Sequence, residues 1–119
     1  MKEYVAIVKH ENSVSVCLYV EKDKIMTLGE KMNELNDEAY MNGYNWEAFF
    51  NHYLSKYEPA ILENMESDPE AGMYVAFYEL TQENEKKAEK FCQIIEHLIE
   101  NENGILEIIK REGEDIDWD

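Results

Sequence analysis

The side chains most suited to acid–base or metal chemistry in this chain are three histidines, two cysteines and 27 carboxylates. His10, His52 and His97 are far apart in sequence. His52 and His97 both flank strongly apolar positions, where an imidazole reads as a boundary side chain rather than as a ligand or general base. Cys17 and Cys92 each sit within an apolar pattern, and two widely separated cysteines make no disulfide framework. A catalytic carboxylate pair needs two environments that drive its pKa values apart, and no spacing singles out such a pair here. The chain has no Gly-rich phosphate loop, no Gly-x-Ser-x-Gly, no Cys-x-x-Cys and no His-Glu-x-x-His. Asp115, Asp117 and Asp119 alternate with Ile116 and Trp118 and offer oxygens to a hard cation. That segment lacks the glycine and distal Glu of an EF-hand loop, however, and reads as a solvated acidic tail. The expectation is no catalytic residue, no metal and no cofactor.

What remains is binding. The 27 Asp plus Glu stand against 11 Lys plus Arg, a net charge of -16 on 119 residues, yet 45% of the residues are hydrophobic, enough to bury a core. Residues 1–60 carry a net -4 and residues 61–119 a net -12, so one face is expected to be strongly negative. Phosphate contacts recruit Lys and Arg, which argues against nucleic acid and anionic membranes as partners. Such a field suits a basic protein captured by long-range attraction, while charge alone is the more ordinary mark of a surface that keeps the protein soluble. In the tail, Trp118 stands among Glu112, Glu114, Asp115, Asp117 and Asp119. That is the composition of a segment that docks on a basic cleft, or of a terminus whose tryptophan folds back on the domain.

The elements that must position these residues follow from periodicity. Residues 4–8 and 14–20, rich in β-branched and aromatic types and separated by His10-Glu11-Asn12-Ser13, predict an antiparallel hairpin with Val14, Val16, Leu18 and Val20 on one face. Thr27 and Glu30 resemble a capping box for a helix over 28–40, which Asn42-Gly43 ends. Asn45 then caps an amphipathic helix bearing Trp46, Phe49, Phe50, Tyr53, Leu54 and Tyr57. Pro59 opens a short helix through residue 65 and Ser67-Asp68-Pro69-Glu70 makes a turn. The apolar run 72–79 predicts a central strand buried on both faces. Thr81 caps a long helix with a stripe of Ala88, Phe91, Cys92, Ile95, Leu98 and Ile99, ended by Asn103-Gly104, and a last helix covers 105–111. The order β-β-α-α-(α)-β-α-α gives an α+β fold, a small antiparallel sheet packed by helices. Residues 1–113 form its single domain and 114–119 an acidic C-terminal tail. With no leader pattern and two unpaired cysteines, a cytoplasmic location is expected.

Two segments resemble the paired motifs of the immunity protein 51 family. Gly43-Tyr44-Asn45-Trp46-Glu47-Ala48-Phe49-Phe50, followed by Tyr53-Leu54, is similar to a Gly-Tyr-Asp-Trp-Glu helix start. Ser67-Asp68-Pro69-Glu70-Ala71-Gly72-Met73 is similar to an Asp-Pro-Glu-Ala-Gly-Met strand entry. The resemblance covers roughly residues 40 to 110 and departs at Asn45, where the family pattern has Asp. It implies a small cytoplasmic α+β protein that binds and neutralises a toxin domain passed between competing bacteria, as an inhibitor and not an enzyme. Tyr44, Trp46, Asp68, Pro69 and Gly72 then carry the structural motif. Asp68, Glu70, Asp115, Asp117 and Trp118 are the candidate toxin contacts, with a basic nuclease as a partner the charge would suit. The alternative is an acidic regulatory or adaptor protein for a basic cellular partner, and a carboxylate-based hydrolase stands third. Oligomeric state is left open.

Overall fold

A computed structural model describes residues 2–119. Strands β1 (Val5–Lys9) and β2 (Ser13–Tyr19) form the expected hairpin, with Val5 opposite Leu18 and Lys9 opposite Val14. After them come α1 (Asp23–Leu35), α2 (Gly43–Tyr57), α3 (Pro59–Leu62), the two-residue β3 (Glu66–Ser67), β4 (Met73–Glu79), α4 (Gln82–Glu100) and α5 (Glu102–Glu112). A 3-10 turn, Gly113–Asp115, leads into the C-terminal residues. The strands make one four-stranded antiparallel sheet in the order β1-β2-β4-β3, so β4 is interior and the fold is α+β.

The core forms where the period-2 strand face meets the period-3.6 helix stripes. Val14, Val16 and Leu18 of β2 and Tyr74, Ala76 and Tyr78 of β4 are buried on one side of the sheet. Phe50 of α2 lies 5.0 Å from the Tyr74 ring and 5.4 Å from that of Phe91 on α4. All six residues of the expected α4 stripe are buried, and Thr81 Oγ1 accepts from the Asn84 N–H as its cap. Pro59 stands in the first turn of α3, where its missing N–H costs nothing.

Several expectations are corrected. The first helix runs from Asp23 to Leu35 and not over 28–40, because Ile25 already belongs to its buried stripe and Thr27 lies inside it. It ends where Asn36 turns the chain: its Oδ1 accepts from the Glu38 N–H, an Asx turn that competes with helix continuation. The break after α4 falls at Asn101, and Asn103-Gly104 lies within α5. The segment through Met65 is helical only to Leu62, and β3 was not foreseen. Finally, β4 is not buried on both faces: Tyr74, Ala76 and Tyr78 are buried, whereas Met73, Val75 and Phe77 are only half-buried.

Candidate functional site

The start of α2 organises the site. Asn42, not Asn45, is the cap, its Oδ1 accepting from the Asn45 N–H at 3.0 Å. The N–H of the next residue, Gly43, donates to the Ala71 carbonyl at 2.9 Å. A Cβ on Gly43 would sit 1.8 Å from the Glu70 carbonyl oxygen and 2.5 Å from that of Met73, so only glycine allows the β3–β4 loop to lie this close. One turn on, Glu47 accepts a hydrogen bond from the Ser67 hydroxyl of β3. The two sequence motifs are thus the two sides of one contact. Trp46, fully buried, stacks on Phe50 at 5.5 Å and belongs to the core. Pro69 and Gly72 shape the loop, and a Cβ at Gly72 would meet the Glu21 carboxylate at 2.7 Å.

Asn45 ties in the chain end. Its amide nitrogen donates to the Tyr40 carbonyl at 2.8 Å and the Glu38 carbonyl at 3.4 Å, and its oxygen accepts from the Asp119 N–H at 2.6 Å. Residues 114–119 therefore lie against α2, with Ile116 buried and Trp118 Nε1 donating to the Gly113 carbonyl at 2.9 Å. Between this segment and α2 opens a cleft of about 590 Å³, walled by Tyr44, Glu47 and Ser55 on one side and Asp115, Asp117, Trp118 and Asp119 on the other. Four of its lining residues are acidic and none is Lys or Arg.

The cleft floor is braced from below. His52, which also lines it, meets the buried Glu112 of α5 through Nε2 at 2.8 Å, and the same carboxylate accepts from Tyr57 and from Lys56 Nζ at 3.2 Å. Burial would raise the Glu112 carboxyl, but the hydrogen bonds from Tyr57, His52 and Lys56 prevail and hold it down at about 2. Sequence reasoning missed this brace. Its one signal was the placement of His52 and Lys56 four apart on the same helix face.

Of the candidate contacts, Asp115, Asp117 and Trp118 come together at the cleft. Asp68 and Glu70 do not line it; they lie on the β3–β4 loop on the other side of the first turn of α2, exposed, with the Glu70 N–H donating to the Met73 carbonyl at 2.8 Å. Among the described residues no Lys or Arg pairs with any of these four acids. Glu47, which joins cleft to loop, was missed because its partner Ser67 lies 20 residues away. Nor do three His, Cys, Asp or Glu side chains converge as metal ligands among the described residues. A family model, described as immunity protein 51, matches residues 5–114. The chain belongs to the immunity protein 51 family. No curated protein and no solved structure matches it. In this immunity protein the family match extends through β1 and α5, past the two motifs, and stops at Glu114, just short of the acids on the far wall of the cleft.

Proposed function

We propose that this immunity protein binds and neutralises a cognate toxin domain by occluding it, without turnover, and that the acidic cleft beside α2 faces that toxin. The observation that carries this reading is a cleft with four acidic residues and no Lys or Arg in its lining, in a chain of an immunity family. Its carboxylates suit a partner that presents Lys and Arg, and a nuclease with a phosphate-binding surface is the toxin chemistry that fits best. Asp115 and Asp117 draw the partner in, the half-buried Trp118 supplies a large aromatic edge, and Asp68 and Glu70 extend the contact past the first turn of α2. In this reading residues 1–113 carry the fold and 114–119 belong to the contact surface. Two free, buried cysteines suit a reducing cytoplasm.

Co-expression with the toxic C-terminal domain encoded by the adjacent upstream gene tests the reading. Restored growth and a stable 1:1 complex are expected. Toxicity without rescue or binding would overturn it and favour an adaptor for another basic protein.

A further inference from the structure

Successive residues of a strand point to opposite sides of the sheet, so the pairing register fixes what lies on the side away from the core. Two adjacent three-strand rows stand at the centre of that side, Ala6, Cys17 and Val75, and beside it Val8, Ser15 and Phe77, flanked by the Tyr19–Met73 and Ser13–Glu79 pairs. Among the described residues α2 and α4 make the main helix contacts with the sheet, on the Tyr74 side, through Phe50 and Phe91, and α3 reaches the same side, its Ile61 carbonyl accepting from the Tyr78 hydroxyl. Ala6, Val8, Val75 and Phe77 accordingly remain half-buried while Val16, Leu18, Tyr74 and Ala76 on the core side are fully buried. Cys17 and the polar Ser15, on the middle strand, are buried between their strand neighbours yet lie outside the core cluster. The result is a flat apolar patch about 10 Å across three strands.

The rim of this patch is acidic on the β3 side. Glu66 pairs with Phe77, and the Asp68 N–H donates to the Val75 carbonyl at 2.9 Å, so the two acids continue the two rows outward. Glu79 follows Phe77 on the same side, and all three carboxylates are exposed. No Lys or Arg stands in these rows. A second copy would bring the same acids face to face on a chain of net charge -16, which opposes self-association. The complementary surface is an exposed aliphatic or aromatic side chain flanked by Lys and Arg.

We infer that this open sheet face is the apolar centre of the toxin contact, an inference that rests on the function proposed above. The cleft and the sheet face lie on either side of β3: Ser67 bonds Glu47 toward the cleft, whereas Glu66 and Asp68 point the opposite way. A toxin that grips the β3 edge covers both, which brings the contact toward the roughly 800 Å² per partner of a stable complex. Carboxylates steer and orient the encounter, and the apolar rows hold it.

The probe is the toxin domain that the co-expression experiment above pairs with this chain, with a Val75→Thr/Phe77→Ser double variant and carbene footprinting of the unaltered chain. Because no helix covers these side chains, the double variant is expected to melt within a few degrees of the parent. Its affinity is expected to fall on the order of 10-fold or more, mainly through faster dissociation and at low and high salt alike. Labelling at Val8, Val75 and Phe77 should drop when the toxin is added, a readout that holds even if the variant folds poorly. Parent-like affinity of the double variant with unchanged labelling in the complex overturns the inference while leaving the immunity function intact. A concentration-dependent dimer of the parent, lost in the double variant, assigns the face to a second copy and also overturns it. No binding by the parent chain removes the proposed function, and this inference with it.

Discussion

At Asn45 one side chain donates to the Tyr40 and Glu38 carbonyls and accepts from the Asp119 N–H, so both ends of the amide are in use. A carboxylate accepts but cannot donate, and an Asp at this place would keep the bond from the Asp119 N–H but turn its second oxygen toward two carbonyl oxygens. Asn45→Asp is therefore expected to cost about 1 to 3 kcal/mol, the range for leaving buried polar groups unpaired, read as a lowered urea midpoint with an unchanged m-value. The residue was legible in the sequence only as a cap, because capping is local whereas its actual partners lie up to 74 residues away. Glu112 raises a different matter, the response to acid. Its folded pKa is depressed to about 2, so its contribution is present above the unfolded carboxylate value of about 4.3 and is lost as pH falls toward 2. Glu112→Gln should be less stable than the parent at pH 7 and should show a shallower loss of melting temperature between about pH 5 and pH 2. Parallel acid-melting curves for the two proteins would remove the brace from the account of the cleft floor.

Among the elements, those with strong periodicity were legible: the hairpin, the stripe of α2 from Trp46 to Leu54 and the six-residue stripe of α4 fall where the sequence puts them, whereas Tyr57, expected to continue the α2 stripe, is exposed and bonds Glu112. Element ends were read less well, for identifiable reasons. Ala39 follows Leu28, Met32 and Leu35 at helical spacing, but Asn36 has already turned the chain, and Ala39 is buried from a loop. Gly104 sits in the first turn of α5, its N–H donating to the Asn101 carbonyl at 3.0 Å, so Asn103-Gly104 belongs to a helix start rather than a helix end. The run in β4 is apolar on both sides because one side serves the core and the other lies open, a distinction that composition cannot make. The site was legible as two motifs, and their meeting was not. Gly43 is where they touch, and Gly43→Ala tests that contact: its methyl would collide with backbone oxygens of Glu70 and Met73, atoms that move only with the loop. A loss on the order of 3 kcal/mol is expected and, on the contact proposed for Asp68 and Glu70, weaker toxin binding, since both move with the loop. Thermal unfolding together with a binding isotherm checks it, and a variant as stable as the parent would mean that the loop is not pinned to α2.

The whole molecule carries its charge of -16 within a body of 40 × 27 × 24 Å, and the Debye length at physiological salt is about 8 Å. Neighbouring charges therefore feel one another, while a partner feels the sum only at close range unless salt is lowered. The net charge is what remains after the eleven Lys and Arg are counted, and five of them, Lys9, Lys24, Lys31, Lys56 and Lys90, are each engaged with a carboxylate that does not line the cleft. Such exposed pairs add little stability, but they occupy the positive charge locally and leave the cleft acids unopposed. If that field guides association, Asp115→Asn/Asp117→Asn/Asp119→Asn, which removes three charges and keeps the Asp119 backbone bond to Asn45, should slow toxin association several-fold at low salt. It should also flatten the salt dependence and leave dissociation nearly unchanged. Stopped-flow association rates across a salt series provide the measurement, and an unchanged low-salt on-rate would rule out steering by these three side chains. The Val75→Thr/Phe77→Ser pair should behave in the opposite way, with a parent-like on-rate and faster dissociation. Finding both effects in one set of proteins would separate the field that brings the partner in from the surface that retains it.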